Sequence, residues 1–164
     1  MKTIIIYSTK YGCSEKCAKL LAEKINGDTQ IVDLTTKNDV DISEYDKVII
    51  GGPIYMGMLH KSIDSFCKNN EQVLKNKKLG IFVCSMFGGK KGEETMKSSF
   101  SDELKNAATT MQLLGGELNI DKMKFLDKVI TKMVAKATKG SNTDVNNGIL
   151  LDNIEKLANS INNV

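Results

Sequence analysis

The chain opens on Lys2-Thr3-Ile4-Ile5-Ile6-Tyr7, an almost unbroken apolar run, and passes at once into the polar loop Ser8-Thr9-Lys10-Tyr11-Gly12-Cys13-Ser14. A strand with one wet face alternates apolar and polar residues. This run does not, so it suits a central parallel strand buried on both faces. The residues beyond the loop supply the helix that such a strand needs. Cys17, Leu20, Leu21 and Ile25 recur on one helical face, and Asn26-Gly27-Asp28 ends the helix by turn chemistry.

The same pattern repeats downstream. A short strand is expected over 30–34, and a third over 46–52, closed by Pro53, the only proline. A helix follows over 59–74 with Ile63, Phe66, Cys67 and Val73 inward, then a buried strand over 79–84. A glycine-rich loop over 85–92 leads to a helix from 93 to about 104 and a fifth strand over 109–118, where Gly115-Gly116 blurs the register. The last helix runs from about 150 to 161, with Ile154, Leu157, Ala158 and Ile161 on one face. This alternation calls for an α/β fold, a doubly wound parallel sheet with helices on both faces. No repeat or linker divides it, so residues 1–164 read as one domain.

One stretch, 119–148, exceeds the minimal pattern and reads as a helical insert before the last helix. Its helix, 123–138, places Leu126, Val129, Ile130, Met133 and Ala137 on one side and Lys124, Lys128, Lys132, Lys136 and Lys139 on the other. The polar loop Gly140-Ser141-Asn142-Thr143-Asp144 follows. Six lysines fall in 119–140 against Asp121 and Asp127. Two readings stand side by side: a solvated helix packed on the sheet, or a surface over 123–139 that docks to a membrane or an acidic partner.

Charge and composition narrow the class. The net charge of +3 comes from lysine alone, since there is no arginine. Lysine gives diffuse attraction rather than bidentate reading of bases or phosphates, so no nucleic-acid partner is expected. A 41% hydrophobic, 26% charged composition argues against disorder. No apolar run approaches the roughly 20 residues of a membrane span, and the first is too short for a signal peptide. The expected location is therefore cytoplasmic, with any membrane contact peripheral. Cys13, Cys17, Cys67 and Cys84 are expected as reduced thiols there, and none has zinc-site spacing. The spacing of Cys13 and Cys17 at a helix start also admits a redox pair.

In open α/β sheets ligands bind beyond the carboxyl ends of the strands. Three loops stand there. In Thr9-Lys10-Tyr11-Gly12-Cys13-Ser14, two hydroxyls, a glycine and the amides of a helix N-terminus make an anion site. Ser14 as a plain helix cap and Gly12 as a turn residue is the bland alternative. Neither the Walker pattern nor G-x-G-x-x-G is present, which disfavours ATP and NAD. The second loop, Gly52-Pro53-Ile54-Tyr55-Met56-Gly57, and the third, Ser85-Met86-Phe87-Gly88-Gly89, set bulky side chains between glycines. Stacking on a flat cofactor would explain them; local packing is the competing account. The single histidine, His60, reads as a capping or solvent residue.

The first loop resembles the flavodoxin phosphate loop through Thr9, Gly12 and Ser14, with Glu15 following and Tyr11 where threonine is common. The resemblance implies a five-stranded sheet of order 2-1-3-4-5 and FMN as cofactor. It implies a ring held by the second and third loops, with Tyr55 or Met56 and Phe87 beside it, and chemistry carried by the flavin with no catalytic side chain. Within that superfamily the chain resembles the flavodoxin-type protoporphyrinogen dehydrogenases that pass electrons to menaquinone. The likeness lies in residues 2–10, in Glu44-Tyr45-Asp46-Lys47-Val48-Ile49-Ile50-Gly51 and in 126–136, with the insert in the place of that family's inserted loop. Expected partners are accordingly a redox protein or a quinone or porphyrin substrate. Three functions follow: an FMN electron carrier or oxidoreductase, the protoporphyrinogen enzyme, and, least supported, a non-enzymatic binding module on the same fold.

Overall fold

The computed structural model describes residues 1–117, 121, 124–138, 145–146 and 148–164. The apolar runs form one sheet. β1 (Thr3–Tyr7) lies between β2 (Thr29–Asp33) and β3 (Lys47–Tyr55), and β5 (Lys78–Cys84) and β6 (Ala108–Leu113) extend it beyond β3. All of these pairings are parallel, in the order β2-β1-β3-β5-β6. Allowing for the short β4 (Met58–Leu59), this is the expected order.

Side-chain parity divides the core in two. Ile4, Ile6, Val48, Ile50, Ile81 and Val83 face α2 (Lys61–Leu74), α3 (Gly89–Ser98) and α4 (Asp102–Ala107), where Ile63, Phe66, Met96 and Leu104 meet them. Ile5, Tyr7, Ile49, Phe82 and Cys84 face α1 (Cys13–Ala22) and α6 (Leu151–Asn162), whose Cys17, Leu21, Ile154, Leu157 and Ile161 cover them. Ile4, Ile5 and Ile6 are each at most 1% exposed. Burying such a side chain stabilises the fold by roughly 1.5–3 kcal/mol. A Cβ on Gly51 would stand 2.2 Å from the Phe82 carbonyl oxygen, so only glycine admits Phe82 to this position. Lys47, at the start of β3, is buried and donates from Nζ to the Ile161 carbonyl at 2.6 Å, capping the end of α6.

Four expectations are corrected. The helix expected over 59–74 begins at Lys61, because Tyr55 and Ile54 pair antiparallel with Met58 and Leu59 around a turn at Met56 (φ 52°) and Gly57 (φ 75°). Val73 is 40% exposed, and Leu74 takes the inward position. The single helix expected over 93–104 is two, α3 and α4, since Ser101 Oγ accepts the Leu104 N–H and starts a new helix after buried Phe100. The fifth strand stops at Leu113. Gly115 turns at φ 81°, and β7 (Gly115–Gly116) pairs antiparallel with β8 (Gly148–Ile149). Leu118, at the end of the strand expected there, lies outside the described residues.

The insert carries a helix, α5 (Phe125–Thr138), between β7 and β8. Met123, Lys139 and the loop 140–144 lie outside the described residues, as do the side chains of Leu126, Ile130 and Ala137. Among the described residues no helix is long and apolar enough to cross a membrane.

Candidate functional site

The ends of β1, β3 and β5 open into one pocket. Its walls are Thr9, Lys10, Tyr11, Cys13 and Ser14 from the first loop, Pro53, Ile54 and Tyr55 from the second, and Cys84, Ser85 and Met86 from the third. Gly116 and Glu117 close the far side. The strand-end argument thus brings ten of the expected site residues together. Gly12 lies between the wall residues Tyr11 and Cys13 as the N-cap of α1 and does not itself line the pocket.

The first loop is shaped by its own backbone. Thr9 Oγ1 accepts the Gly12 N–H at 2.9 Å, and Gly12 sits at φ 96°, a left-handed conformation that glycine adopts without a Cβ penalty. Gly12, not Ser14, is the N-cap of α1, and no side chain caps the helix. Ser14 lies one residue into the helix, 1% exposed, with a hydroxyl that has no hydrogen-bond partner. A buried hydroxyl of this kind costs stability unless something completes it. At a helix N-terminus on a pocket wall, the group that completes it best is an anion.

The insert reaches this loop through Asp127 of α5. Its carboxylate accepts from the Tyr11 hydroxyl and, at 2.9 Å, from the Tyr55 hydroxyl, and lies 3.1 Å from Lys10 Nζ. Lys10 Nζ also stands 3.7 Å from the Tyr55 ring centre, and the Tyr11 and Tyr55 rings meet edge to face at 6.5 Å. Two aromatic rings, a cation and a carboxylate therefore form one cluster at the pocket mouth.

The remaining expected residues lie off the wall. Met56 is 57% exposed at the tip of the β3–β4 turn with Gly57 beside it. Phe87 lies under Lys91, whose Nζ is 4.0 Å from the ring centre, and bridges to Val145. Gly88 caps α3, where a Cβ would come within 2.7 Å of Asn146 Oδ1. Asn146 fastens this loop, donating to the carbonyls of Met86 and Ser85 at 2.7 and 3.0 Å.

Sequence reasoning missed Cys84, Gly116, Glu117 and Asp127. Cys84 ends a buried strand and was open to the strand-end rule; no sequence signal connects Asp127 to Tyr11. Three thiols meet behind the first loop. Cys84 Sγ is 3.7 Å from Cys17 Sγ, and Cys13 accepts the Glu117 N–H at 3.4 Å. Hydrogen bonds from Cys17 and Cys84, helped by the Glu117 amide and Lys16, outweigh burial and hold the Cys13 thiol well below its ordinary pKa. Cys17 and Cys84 are pushed up, by donating to Cys13 above all and by burial. His60 caps α2 by accepting the Ser62 N–H at Nδ1, as expected of a capping residue.

Known proteins share this frame. The family model described as flavodoxin domain matches residues 4–145. Protoporphyrinogen IX dehydrogenase [quinone] of Escherichia coli K12 is 21% identical over 97% of this chain and 92% of its own length. Rubredoxin:oxygen oxidoreductase of Desulfovibrio gigas superposes with TM-score 0.55 at 19% identity, over 82% of this chain, which spans only 34% of that protein. A Lactobacillus acidophilus flavoprotein in complex with FMN superposes with TM-score 0.50 at 16% identity, over 70% of this chain and 91% of its own. With the family match covering most of the chain and the sheet order in agreement, the chain belongs to the flavodoxin domain family.

Proposed function

We propose that this protein binds FMN in the pocket at the ends of β1, β3 and β5 and works as an electron-transferring flavoprotein. The observation that carries the reading is Ser14: a fully buried hydroxyl with no partner, at a helix N-terminus, beside a glycine in a left-handed turn. A phosphate would satisfy it. Thr9, Lys10, Tyr11, Gly12, Cys13 and Ser14 would hold that end of the cofactor. Pro53, Ile54 and Tyr55, with Ser85 and Met86, would flank the ring, while Met56, Gly57, Phe87 and Gly88 lie off the wall in the loops that carry them. Bound FMN supplies one- and two-electron exchange, and the chain's own residues bind it, exclude water and present it to a redox partner.

Titration with FMN should give a perturbed flavin spectrum, quenched fluorescence and a higher melting temperature. Ser14→Ala should weaken binding by roughly tenfold to a hundredfold, the range for a hydrogen bond to a charged group at about 1.5–3 kcal/mol. A spectrum and melting temperature unmoved by saturating FMN would end the reading.

A second reading, oxidation of protoporphyrinogen with a quinone acceptor, is favoured by two observations. The insert is not remote from the pocket but fastened to its mouth through Asp127, and the Escherichia coli dehydrogenase aligns over nearly the whole chain. On this reading α5 is the part that meets a large substrate or an anionic membrane surface.

A further inference from the structure

Cys13 and Cys17 lie one turn apart on α1, and Cys84 ends β5. The three sulfurs all lie within 4.8 Å of one another, and none is in a disulfide. Cys17 is 0% and Cys84 4% exposed, while Cys13 is half-buried on the pocket wall. Thiols used only as small apolar fillers have no need to aim three sulfurs at one point.

We propose that Cys13, Cys17 and Cys84 form a trithiolate site for one soft divalent metal ion of the zinc–cadmium class, with the fourth position open to the pocket. Metal–sulfur bonds of about 2.3 Å in a tetrahedral site place sulfurs roughly 3.8 Å apart. The Cys17–Cys84 pair already stands at 3.7 Å, and Cys13 needs only a small side-chain rotation. Thiolate donors select soft ions and reject magnesium and calcium. Three protein ligands with an open fourth position is also the arrangement that leaves an ion accessible. Binding forms three metal–sulfur bonds, breaks the S–H bonds of Cys17 and Cys84 and releases their two protons to solvent, Cys13 entering as the thiolate; no electrons are transferred. The net negative charge of the filled site meets the N-terminus of α1 and the Glu117 amide, which already donates to Cys13.

Cadmium is the probe, because its thiolate complexes absorb in the ultraviolet. The reduced full chain, without flavin, should take up one Cd2+ with a band of three-thiolate intensity. In the Cd2+-loaded protein Cys13, Cys17 and Cys84 should each be alkylated more slowly than in the metal-free protein, with Cys67, the internal control, unchanged. Cys13→Ser should weaken binding by more than the ~10–100-fold that loss of an outer-sphere partner costs, with circular dichroism showing that it folds. Should Cys13→Ser fail to fold, the parent's band intensity and the pattern of alkylated thiols decide alone. No stoichiometric uptake, protection of Cys13 only, or undiminished binding in folded Cys13→Ser would each overturn the site. A separate FMN titration of the metal-free parent reads the flavin without the thiol site, so the two readings fail separately.

Discussion

His60 holds the start of α2 through Nδ1, which accepts the Ser62 N–H at 3.3 Å. Only the unprotonated ring nitrogen can do this. Burial lowers the His60 pKa and Lys10 adds to the effect, against an opposing pull from Asp33. A histidine whose pKa is lower folded than unfolded takes up its proton more readily in the unfolded chain. Its contribution is therefore complete above the ordinary value of 6.5 and is lost as pH falls from there through the depressed folded value. Urea midpoints between pH 7 and pH 5 should fall in the parent and fall less in His60→Asn, which can cap without titrating in that range. Equal slopes would remove His60 from the account. The residues of the site divide in the same physical way. That Thr9 and Ser14 reach the pocket wall was legible because a loop after a buried parallel strand lies at the carboxyl end of the sheet. Asp127 was not, because a single aspartate among lysines carries no sign of the tyrosines it will meet across 116 residues.

Among the elements, α5 combines two opposed behaviours. Asp127 ties it to the pocket mouth, while Phe125, Val129 and Met133, spaced by one helical turn, are 79%, 39% and 66% exposed. Lys124, Lys132 and Lys136 are exposed around that stripe. An apolar stripe bordered by lysine suits the surface of an anionic bilayer, where each lysine contributes about 1 kcal/mol before salt screens it. Co-sedimentation with vesicles should rise with anionic lipid, fall with salt, and drop when Lys128, Lys132 and Lys136 become Gln. Indifference to anionic vesicles at low salt would leave these residues as an ordinary solvated face. The sequence periodicity revealed the helix and its lysines, since period needs only the local chain. It did not reveal the β3–β4 turn or the break between α3 and α4. Those depend on Tyr55 finding Met58, and on the Ser101 hydroxyl capping Leu104, choices that hydrophobic period does not encode.

At the scale of the whole molecule, the two-sided core follows from the central strands β1, β3 and β5, which have no polar face, while the order of the strands came from the family resemblance. The insert leaves the rest of the chain after β7 and returns at β8. Replacing residues 118–146 by a short glycine-containing turn should weaken FMN binding by roughly tenfold, about 1.4 kcal/mol, because Ser14 stays in place while the Asp127 and Asn146 contacts to the pocket loops are lost. If the protoporphyrinogen reading is right, the same deletion should abolish formation of fluorescent protoporphyrin from protoporphyrinogen with a quinone acceptor. A parent protein that forms none sinks that reading, and a deletion variant as active as the parent separates it from the insert. The pairing of Gly115-Gly116 with Gly148-Ile149 has one more consequence. It brings the two ends of the excursion side by side at the rim of the sheet, so what lies between them meets the domain through Asp127 at the pocket mouth and Asn146 at the third loop. Closing a loop there costs little more when the loop grows, about 0.6 kcal/mol for each doubling of length. Descendants of this chain can therefore lengthen, shorten or rewrite what lies between those ends while the strands beneath keep their register, and new specificity can be tried at the pocket mouth without refolding the protein that carries it.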